Sequence, residues 1–274
     1  MGDLPAAATR SLDEVRESGL ALGAFPHSTA KARLVLDLRR ELAATGDARL
    51  RILDAGCGGR HYPFNLWQPL LPFADRIELT GVDVAYLDET RAKAEEVGFA
   101  ADIRPGSVLD LVQQFGPNAF DVVVSTQVLE HVPDWPRAVA ELAAVLRAGG
   151  LLLLTCDSGD FGRGRADRVR LAGKRAYALA RRRLPVLPGA GLSGEWEGAP
   201  TREALAAAAA AAGLDVELVR HYGLVKEIKG GVGSSLLAFA YEEALHEEEP
   251  DAYVPRFRIL YLRARRRDGD SSPG

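Results

Sequence analysis

The chain has 274 residues, of which 47% are hydrophobic and 26% charged, the composition of an ordinary soluble globular protein with one large domain. Two cysteines, Cys57 and Cys156, exclude a disulfide framework and favour a reducing cytoplasm. No apolar run approaches the ~18 residues that span a membrane, and we expect no signal peptide. A net charge of −4 disfavours a surface devoted to nucleic acid.

The start of the chain predicts an arm followed by a helix. Pro and Gly residues interrupt residues 1–27, which predicts an N-terminal arm with one helical stretch around Ser11–Ser18. From Thr29 to Ala44, leucines recur every four residues, at 34, 38 and 42, and this spacing predicts an amphipathic helix.

Farther along the chain, short β-like runs alternate with helical segments. Seven strands are predicted, at residues 49–54, 77–84, 99–104, 120–125, 151–155, 214–219 and 257–262. Helices are predicted between them at residues 86–97, 134–146 and 201–212. Because alternating strands and helices are joined by crossovers, the sequence predicts an α/β fold. We expect a doubly wound, mostly parallel seven-stranded sheet of Rossmann-like type, with helices on both faces.

We place this domain at residues 28–265, with two long connections inside it. Residues 158–200 are far longer than the usual loop of about 2–6 residues and predict a helical cap insertion. Residues 224–250 join the last two strands through an apolar patch and an acidic run. Residues 266–274 predict a disordered tail.

A strand that ends in a glycine-rich turn is the sharpest signal: residues 52–60 read Ile-Leu-Asp-Ala-Gly-Cys-Gly-Gly-Arg. Such a turn lets backbone N–H groups approach a ligand closely. A P-loop requires Gly-Lys-Ser/Thr after the turn and is excluded by Arg-His-Tyr at 60–62. The dinucleotide fingerprint requires a third glycine where His61 stands. The remaining class is the acidic-x-Gly-x-Gly loop that binds S-adenosylmethionine, at residues 54–58.

The loop resembles the first motif of class I S-adenosylmethionine-dependent methyltransferases. Further motifs similar to those of the family follow in order: Thr-Gly-Val-Asp at 80–83, Phe-Asp-Val-Val-Val-Ser at 120–125, Val-Leu-Glu-His-Val-Pro-Asp-Trp at 128–135 and Gly-Gly-Leu-Leu-Leu-Leu at 149–154. Together these motifs resemble the branch of the superfamily that methylates small molecules such as quinones, the methyltransferase type 11-like branch. The resemblance covers about 49–157 strongly and 196–222 weakly.

This resemblance implies S-adenosyl-L-methionine as the cofactor, bound across the carboxyl ends of the strands. Asp83 is expected to accept hydrogen bonds from the ribose hydroxyls, although a carboxylate at that position can also cap the following helix. Asp54 is expected near the methionine end or in a structural role. The expected cofactor-binding residues are Asp54, Ala55, Gly56, Cys57, Gly58, Asp83, Val84, Ser107, Val108, Ser125 and Gln127.

The chain departs from the family pattern where an acidic residue usually contacts the adenine amine. Gly-Ser-Val at 106–108 stands in place of Gly-Asp-Ala. Ser107 can still form a hydrogen bond with the adenine edge, and Asp110 is a nearby substitute.

Methyl transfer from a sulfonium is an in-line displacement, so positioning of the two reactants supplies much of the catalysis. A general base is needed only for a poorly acidic hydroxyl or a carbon acid. His131, just beyond the fourth strand, is the candidate catalytic residue, and its alternative role is orienting or capping. Weaker candidates are His27, His61, Tyr62, His221 and Tyr222. His246 is expected to be solvated in its acidic run, and no metal-ligand spacing is present, so no metal is expected.

Residues 160–183 carry nine Arg or Lys and two Asp. Three interpretations stay open: a lid helix with solvated arginines, recognition of an anionic small-molecule substrate, or contact with an anionic membrane or nucleic acid. Trp196 closes the segment, either as an aromatic wall of the pocket or as an anchor of the lid.

The sequence therefore predicts a cytoplasmic S-adenosylmethionine-dependent methyltransferase that acts on a small molecule at an oxygen, nitrogen or carbon atom. The alternatives are an RNA or other macromolecule methyltransferase and a non-catalytic S-adenosylmethionine-binding protein, with a nicotinamide dehydrogenase as a distant third. No nucleic-acid partner and no transmembrane segment are expected, and the sequence carries no signal for the oligomeric state.

Overall fold

The computed structural model describes residues 4–59, 66–161, 198–224, 232–248 and 253–268. These residues contain seven strands: β1 (Leu50–Ala55), β2 (Ile77–Asp83), β3 (Ala101–Pro105), β4 (Phe120–Thr126), β5 (Leu146–Asp157), β6 (Leu214–Tyr222) and β7 (Ile259–Arg266). The α-helices are α1 (Ala6–Glu17), α2 (Thr29–Ala44), α3 (Leu87–Val97), α4 (Leu111–Phe115), α5 (Trp135–Ala144), α6 (Arg202–Ala211) and α7 (Val232–Glu248). Short 3-10 helices lie at Leu22–Ala24, Gln68–Arg76, Leu129–His131 and Val254–Arg256.

The seven strands form one sheet in the order β3-β2-β1-β4-β5-β7-β6. Strands β1 to β5 pair in parallel, whereas β7 lies between β5 and β6 and runs antiparallel to both. The predicted mostly parallel, seven-stranded α/β fold is confirmed. From β1, the chain moves outward to β2 and β3 and then returns to β4 on the other side. This reversal of direction creates a crevice at the carboxyl ends of β1 and β4, where open α/β sheets bind ligands.

The hydrophobic core consists of two layers, one on each face of the sheet. Because side chains alternate along a strand, Ile52 packs on the face that carries α2, and Leu53 packs on the face that carries α5 and α6. Leu34, Leu38 and Leu42 are fully buried on α2, which confirms the helix predicted from their four-residue spacing.

The helix predicted at residues 201–212 is confirmed as α6, and capping residues mark both of its ends. The hydroxyl oxygen of Thr201 accepts a hydrogen bond from Ala204 N at 3.1 Å at the start of α6. Gly213 follows the helix with a φ of +81°, the left-handed conformation that favours glycine at a helix end. Asp134 caps α5 in the same way as Thr201 caps α6.

Three helices differ from the sequence prediction. The short helix α4 lies at Leu111–Phe115, where the sequence predicts no helix. Helix α1 begins at Ala6, ahead of the predicted stretch at Ser11–Ser18, because small residues near its start pack against Ala240 and Ala244 of α7. Helix α7 occupies a segment that was interpreted only as a connection. Most of the predicted cap (residues 162–197) and most of the predicted tail (residues 269–274) lie outside the described residues. In the part of the chain that the structure describes, no helix is both long and apolar enough to cross a membrane.

A buried carboxylate joins the N-terminal helices to the sheet. Asp37, on α2, is 3% exposed. Its Oδ1 atom accepts hydrogen bonds from Arg33 Nη2 at 2.8 Å and Arg40 Nη1 at 2.7 Å, and its Oδ2 atom accepts one from the Tyr261 hydroxyl of β7. Arg33 also pairs with Glu14 of α1. One carboxylate therefore bridges α2 and β7 and, through Arg33, holds α1.

We expect Asp37→Asn to lower the free energy of unfolding by about 3 kcal/mol, because the substitution leaves the buried Arg33 charge with one partner fewer. Asp88→Asn is the matched control: Asp88 pairs with Arg91 on the surface and is 96% exposed, so we expect a loss below about 1 kcal/mol. Urea unfolding at pH 7 measures both values. Equal losses in the two variants would contradict the role assigned to Asp37.

Candidate functional site

The glycine loop after β1 packs tightly between the loops that follow β2 and β4. Gly56 has a φ of +96°, and a Cβ atom there would lie 2.1 Å from the Val128 side chain. A Cβ atom on Gly58 would lie 2.3 Å from the carbonyl oxygen of Ala85. The Gly56 and Cys57 amides both donate to the carbonyl oxygen of Val82, at 2.8 and 3.2 Å. The backbone geometry requires glycine at both positions, as the loop motif predicts.

Asp83, at the end of β2, faces this loop. Its Oδ2 atom accepts a hydrogen bond from Gly58 N at 2.8 Å, and its Oδ1 atom accepts one from Ala85 N at 3.0 Å. The residue that precedes α3 is Tyr86, so Asp83 is not the N-cap of that helix. Val84, next to Asp83, is 78% exposed and presents apolar surface beside the carboxylate.

Asp54 lies at the end of β1 on the face of α2 and is 5% exposed. Its Oδ2 atom accepts a hydrogen bond from Trp67 Nε1 at 2.6 Å, and its Oδ1 atom has no hydrogen-bond partner among the described residues. Burial raises the pKa of Asp54 to about 6, against the opposing effects of the Trp67 hydrogen bond and the Lys31 charge.

Lys31, in the first turn of α2, was not identified from the sequence. Burial lowers the pKa of its ammonium group, and the negative charge of Asp54 opposes that shift. No motif includes Lys31, and 22 residues separate it from Asp54, so only the packing of α2 against β1 brings the two charges together.

The remaining expected cofactor residues line the same edge of the sheet. Ser125 is fully buried, and its hydroxyl donates to the Ala55 carbonyl oxygen at 2.8 Å, which ties β4 to β1. The Ser107 hydroxyl accepts a hydrogen bond from Leu109 N at 3.1 Å, and Val108 beside it is buried. Asp110 contacts Arg137 at the surface, 3.3 Å away.

Four polar residues lie where β4 and β5 end, and we call them the acceptor-side cluster: Gln127, Glu130, Thr155 and Asp157. Gln127 N donates to the Thr155 carbonyl oxygen at 2.8 Å. Three buried atoms in the cluster have no hydrogen-bond partner in the described part of the chain, namely Gln127 Nε2, Glu130 Oε2 and Thr155 Oγ1. Burial raises the pKa of Glu130 to about 8, and the charge of Asp157 adds to the shift. His131 is adjacent but exposed.

Comparison with known proteins assigns the fold to a family. A family model described as "Methyltransferase domain" matches residues 27–219, which include β1 to β5, most of β6 and every site residue named above. The chain belongs to this methyltransferase-domain family.

A ubiquinone biosynthesis O-methyltransferase from Methylobacterium sp. (strain 4-46) is 37% identical over 106 residues, which are 38% of this chain and 39% of the relative. This chain spans 39% to 50% of the length of the curated relatives that lead the comparison.

Two solved structures share the fold of this chain. Their sequence identities to it are below 20%, so the likeness shows the fold alone. The 4+2 cyclase SpnF aligns over 98% of this chain and 99% of its own, with a TM-score of 0.52 and 19% identity. A phosphoethanolamine N-methyltransferase from Haemonchus contortus, in complex with phosphomonomethylethanolamine and S-adenosylhomocysteine, aligns over 86% of this chain and 53% of its own. Its TM-score is 0.55 and its identity is 16%.

Two of the weaker candidates, His221 and Tyr222, lie at the end of β6. His221 is buried, with its Nε2 atom 3.2 Å from Asp160 Oδ2, and the hydroxyl of the fully buried Tyr222 bonds Glu243. His246 was expected to be solvated, and this is wrong. Its ring stacks on Phe257 and bonds the His221 carbonyl oxygen, and burial lowers the pKa of His246 to about 4.

Other candidates remain untested by the structure. His27 is exposed ahead of α2. His61, Tyr62 and Trp196 lie outside the described residues. The described part of the methyltransferase domain holds no group of three or more His, Cys, Asp and Glu side chains that could bind a metal ion.

The raised pKa of Glu130 predicts a pH-dependent effect on stability. Between pH 4.5 and about 8, the unfolded chain releases the Glu130 proton while the folded protein keeps it, so this residue lowers stability progressively as the pH rises. We expect Glu130→Gln to stabilise the protein by an amount that grows from pH 5 to 8 and is constant above pH 8. Urea unfolding across this range measures the difference.

Glu78→Gln is the control for this prediction, because Glu78 is exposed on β2 and should show no such pH dependence. A difference between Glu130→Gln and the parent protein that is the same at every pH would contradict the raised pKa.

Proposed function

We propose that this protein transfers a methyl group from S-adenosylmethionine to a hydroxyl oxygen of a small molecule. The observation that carries the proposal is the glycine loop, whose Gly58 N–H group donates a hydrogen bond to the carboxylate of Asp83. The choice of oxygen is supported by the related O-methyltransferase described above, which this chain matches over part of its length.

The nucleoside end of the cofactor fits the Asp83 side of the loop. Two backbone amides orient the Asp83 carboxylate, which retains lone pairs to accept hydrogen bonds from two neighbouring ribose hydroxyls. The exposed side chain of Val84 offers an apolar contact to the flat face of the base. The missing Cβ atoms of Gly56 and Gly58 let the loop backbone lie close to Val128 and Ala85. Ser107 and Val108 are proposed to contact the adenine edge.

The amino-acid end fits the pair formed by Lys31 and Asp54. The free Oδ1 atom of Asp54 is an acceptor for an ammonium group, and the ammonium of Lys31 is a donor for a carboxylate. The ammonium and the carboxylate of the amino-acid end are opposite in charge to Asp54 and Lys31, respectively. When bound, S-adenosylmethionine supplies an electrophilic methyl group on a sulfonium. The residues of this chain hold that end in place, so that the methyl group meets the acceptor in line.

The methyl acceptor is proposed only by its chemical class. We propose that it is a small molecule, and the arginine-rich residues 160–183 support an anionic one. We also propose that the protein acts in the cytoplasm. His131 remains the predicted catalytic candidate from the sequence, at the rim of the acceptor-side cluster. The same fold occurs in a protein described as a cyclase, so cofactor binding and methyl transfer require separate tests.

We expect calorimetry to show micromolar binding of S-adenosylhomocysteine and no binding of NADH. Asp83→Asn should weaken the binding of S-adenosylhomocysteine by about 10-fold to 100-fold, because hydrogen bonds to a charged carboxylate are lost. Asp88→Asn, on the exposed face of α3, is the control and should bind like the parent protein. Retention of full affinity in Asp83→Asn would exclude the ribose role of this carboxylate.

The role of Lys31 is tested with a shortened ligand. We expect Lys31→Met to weaken S-adenosylhomocysteine binding by about tenfold and to leave 5′-methylthioadenosine binding unchanged, because the latter ligand has no amino-acid carboxylate. Lys93→Met, on the exposed face of α3, is the control. An equal loss of affinity for both ligands would show that Lys31 acts on the fold rather than on the carboxylate.

A further inference from the structure

The acceptor-side cluster contains buried polar atoms that the fold itself leaves unsatisfied. Glu130 is 8% exposed and Thr155 is 1% exposed, yet Glu130 Oε2 and Thr155 Oγ1 lack hydrogen-bond partners in the described part of the chain, as does Gln127 Nε2. Leaving a buried polar atom unpaired costs about 1–3 kcal/mol. Three such atoms, contributed by two neighbouring strand ends, indicate a place where a polar ligand completes the hydrogen bonds.

The cluster lies next to the glycine loop. Val128 stands between Gln127 and Leu129, and its side chain occupies the space where a Gly56 Cβ atom would lie. The Gln127 backbone has a φ of +58°, a conformation that an L-residue rarely adopts and that turns the chain sharply at the end of β4. A ligand in the cluster is therefore adjacent to the proposed cofactor site.

Glu130 lies in the short 3-10 helix that follows β4, and its side chain is buried. The charge of Asp157, at the end of β5, acts on its carboxyl group. Because Oε2 is buried without a hydrogen-bond partner in the described part of the chain, this oxygen is the atom that a polar ligand would satisfy.

We propose that Glu130 is the catalytic base of the transfer: its Oε2 atom receives the proton of the acceptor hydroxyl, while the Gln127 side-chain amide donates to a second polar atom of the acceptor. This inference rests on the proposed function and identifies the residue that carries the proton. It differs from the sequence prediction, which placed the proton on the neighbouring, exposed His131.

The step balances in atoms and electrons. The acceptor oxygen forms a bond to the methyl carbon as the bond from that carbon to sulfur breaks, and the electron pair of the broken bond stays on sulfur. The O–H bond of the acceptor breaks, and its proton forms a bond to Glu130 Oε2. The products are a methyl ether, a neutral thioether and a protonated glutamic acid.

The groups around Glu130 set the pH at which it accepts a proton. Asp157 and Cys156 on β5 interact with it electrostatically, and the charge of Asp157 raises the pKa of Glu130 further above the value that burial produces. With a pKa of about 8, about a tenth of the carboxyl is ionised at pH 7. A base with a pKa near the working pH combines a usable ionised fraction with a strong affinity for the proton.

The first test needs no acceptor. In the complex of the full-length protein with S-adenosylhomocysteine, carbon-13 NMR of glutamate-labelled protein should show one carboxyl that titrates near pH 8. Its signal should vanish in Glu130→Gln and titrate at lower pH in Asp157→Asn, because a negative neighbour has been removed. If no glutamate carboxyl titrates between pH 7 and 9, the proposal is overturned.

The second test measures transfer of a labelled methyl group to catechol, phenol and aniline between pH 6 and 9.5. With catechol or phenol, we expect kcat to rise up to pH 8 and then level off. Glu130→Gln should lower kcat at least 100-fold and remove the pH dependence, while its affinity for S-adenosylhomocysteine stays close to that of the parent protein. Its melting temperature should be no lower than that of the parent protein, because the substitution removes a buried carboxyl group with a raised pKa. Asp157→Asn should shift the levelling-off to lower pH. Glu78→Gln is the control for the substitution itself.

Other results would contradict either the role of Glu130 or the proposed function. A Glu130→Gln variant that keeps both its rate and its pH profile overturns the proposal, as does a profile abolished by His131→Gln alone. Transfer to aniline but to neither hydroxyl compound overturns it as well. Failure of the parent protein to bind S-adenosylhomocysteine, or binding without transfer to any probe, contradicts the proposed function instead. The NMR titration of the protein without ligand then still decides the state of Glu130.

Discussion

Gly56 N and Cys57 N both donate to the carbonyl oxygen of Val82, so the chain leaves β1 while it is still bonded to β2. This interaction holds the glycine loop beside Asp83 and brings Gly58 N within 2.8 Å of its carboxylate. Because the neighbouring strands β4 and β5 are parallel, their carboxyl ends lie at the same edge of the sheet as this loop. Thr126 pairs with Thr155 there. The polar groups of the candidate site lie along this shared edge of the sheet, except Lys31, which α2 contributes.

Burial is what makes the polar groups at this edge chemically useful. Asp54 and Lys31 lie on one side of the loop and Glu130 on the other, and desolvation shifts the pKa of each towards the neutral form. Groups with strongly shifted pKa values that cluster in one crevice are typical of functional sites. The Asp37 network braces α2, and because Lys31 lies in the first turn of α2, this structural network also supports the site.

The elements that the sequence did not predict share a physical cause. Helix α7 buries Glu242 and Glu243 on the same side as Phe239, because residues three and four positions apart share one face of a helix. Its apolar and polar residues therefore do not separate into two faces with a helical period. Those carboxylates are tolerated because Thr29, Arg220 and Tyr222 bind them, all from distant parts of the chain. His246 becomes buried for the same reason, although its acidic neighbours in the sequence indicate exposure.

The sequence by itself determined the alternation of strands and helices, the glycine loop and the place of Asp83, because these depend on local periodicity, turn chemistry and the length of one strand–helix–strand unit. Only the tertiary structure decided that Lys31 faces Asp54, and that Glu130 is buried with a raised pKa while the adjacent His131 is exposed. Desolvation and charge pairing depend on which distant segments pack together, and neighbouring residues in a sequence can differ completely in both.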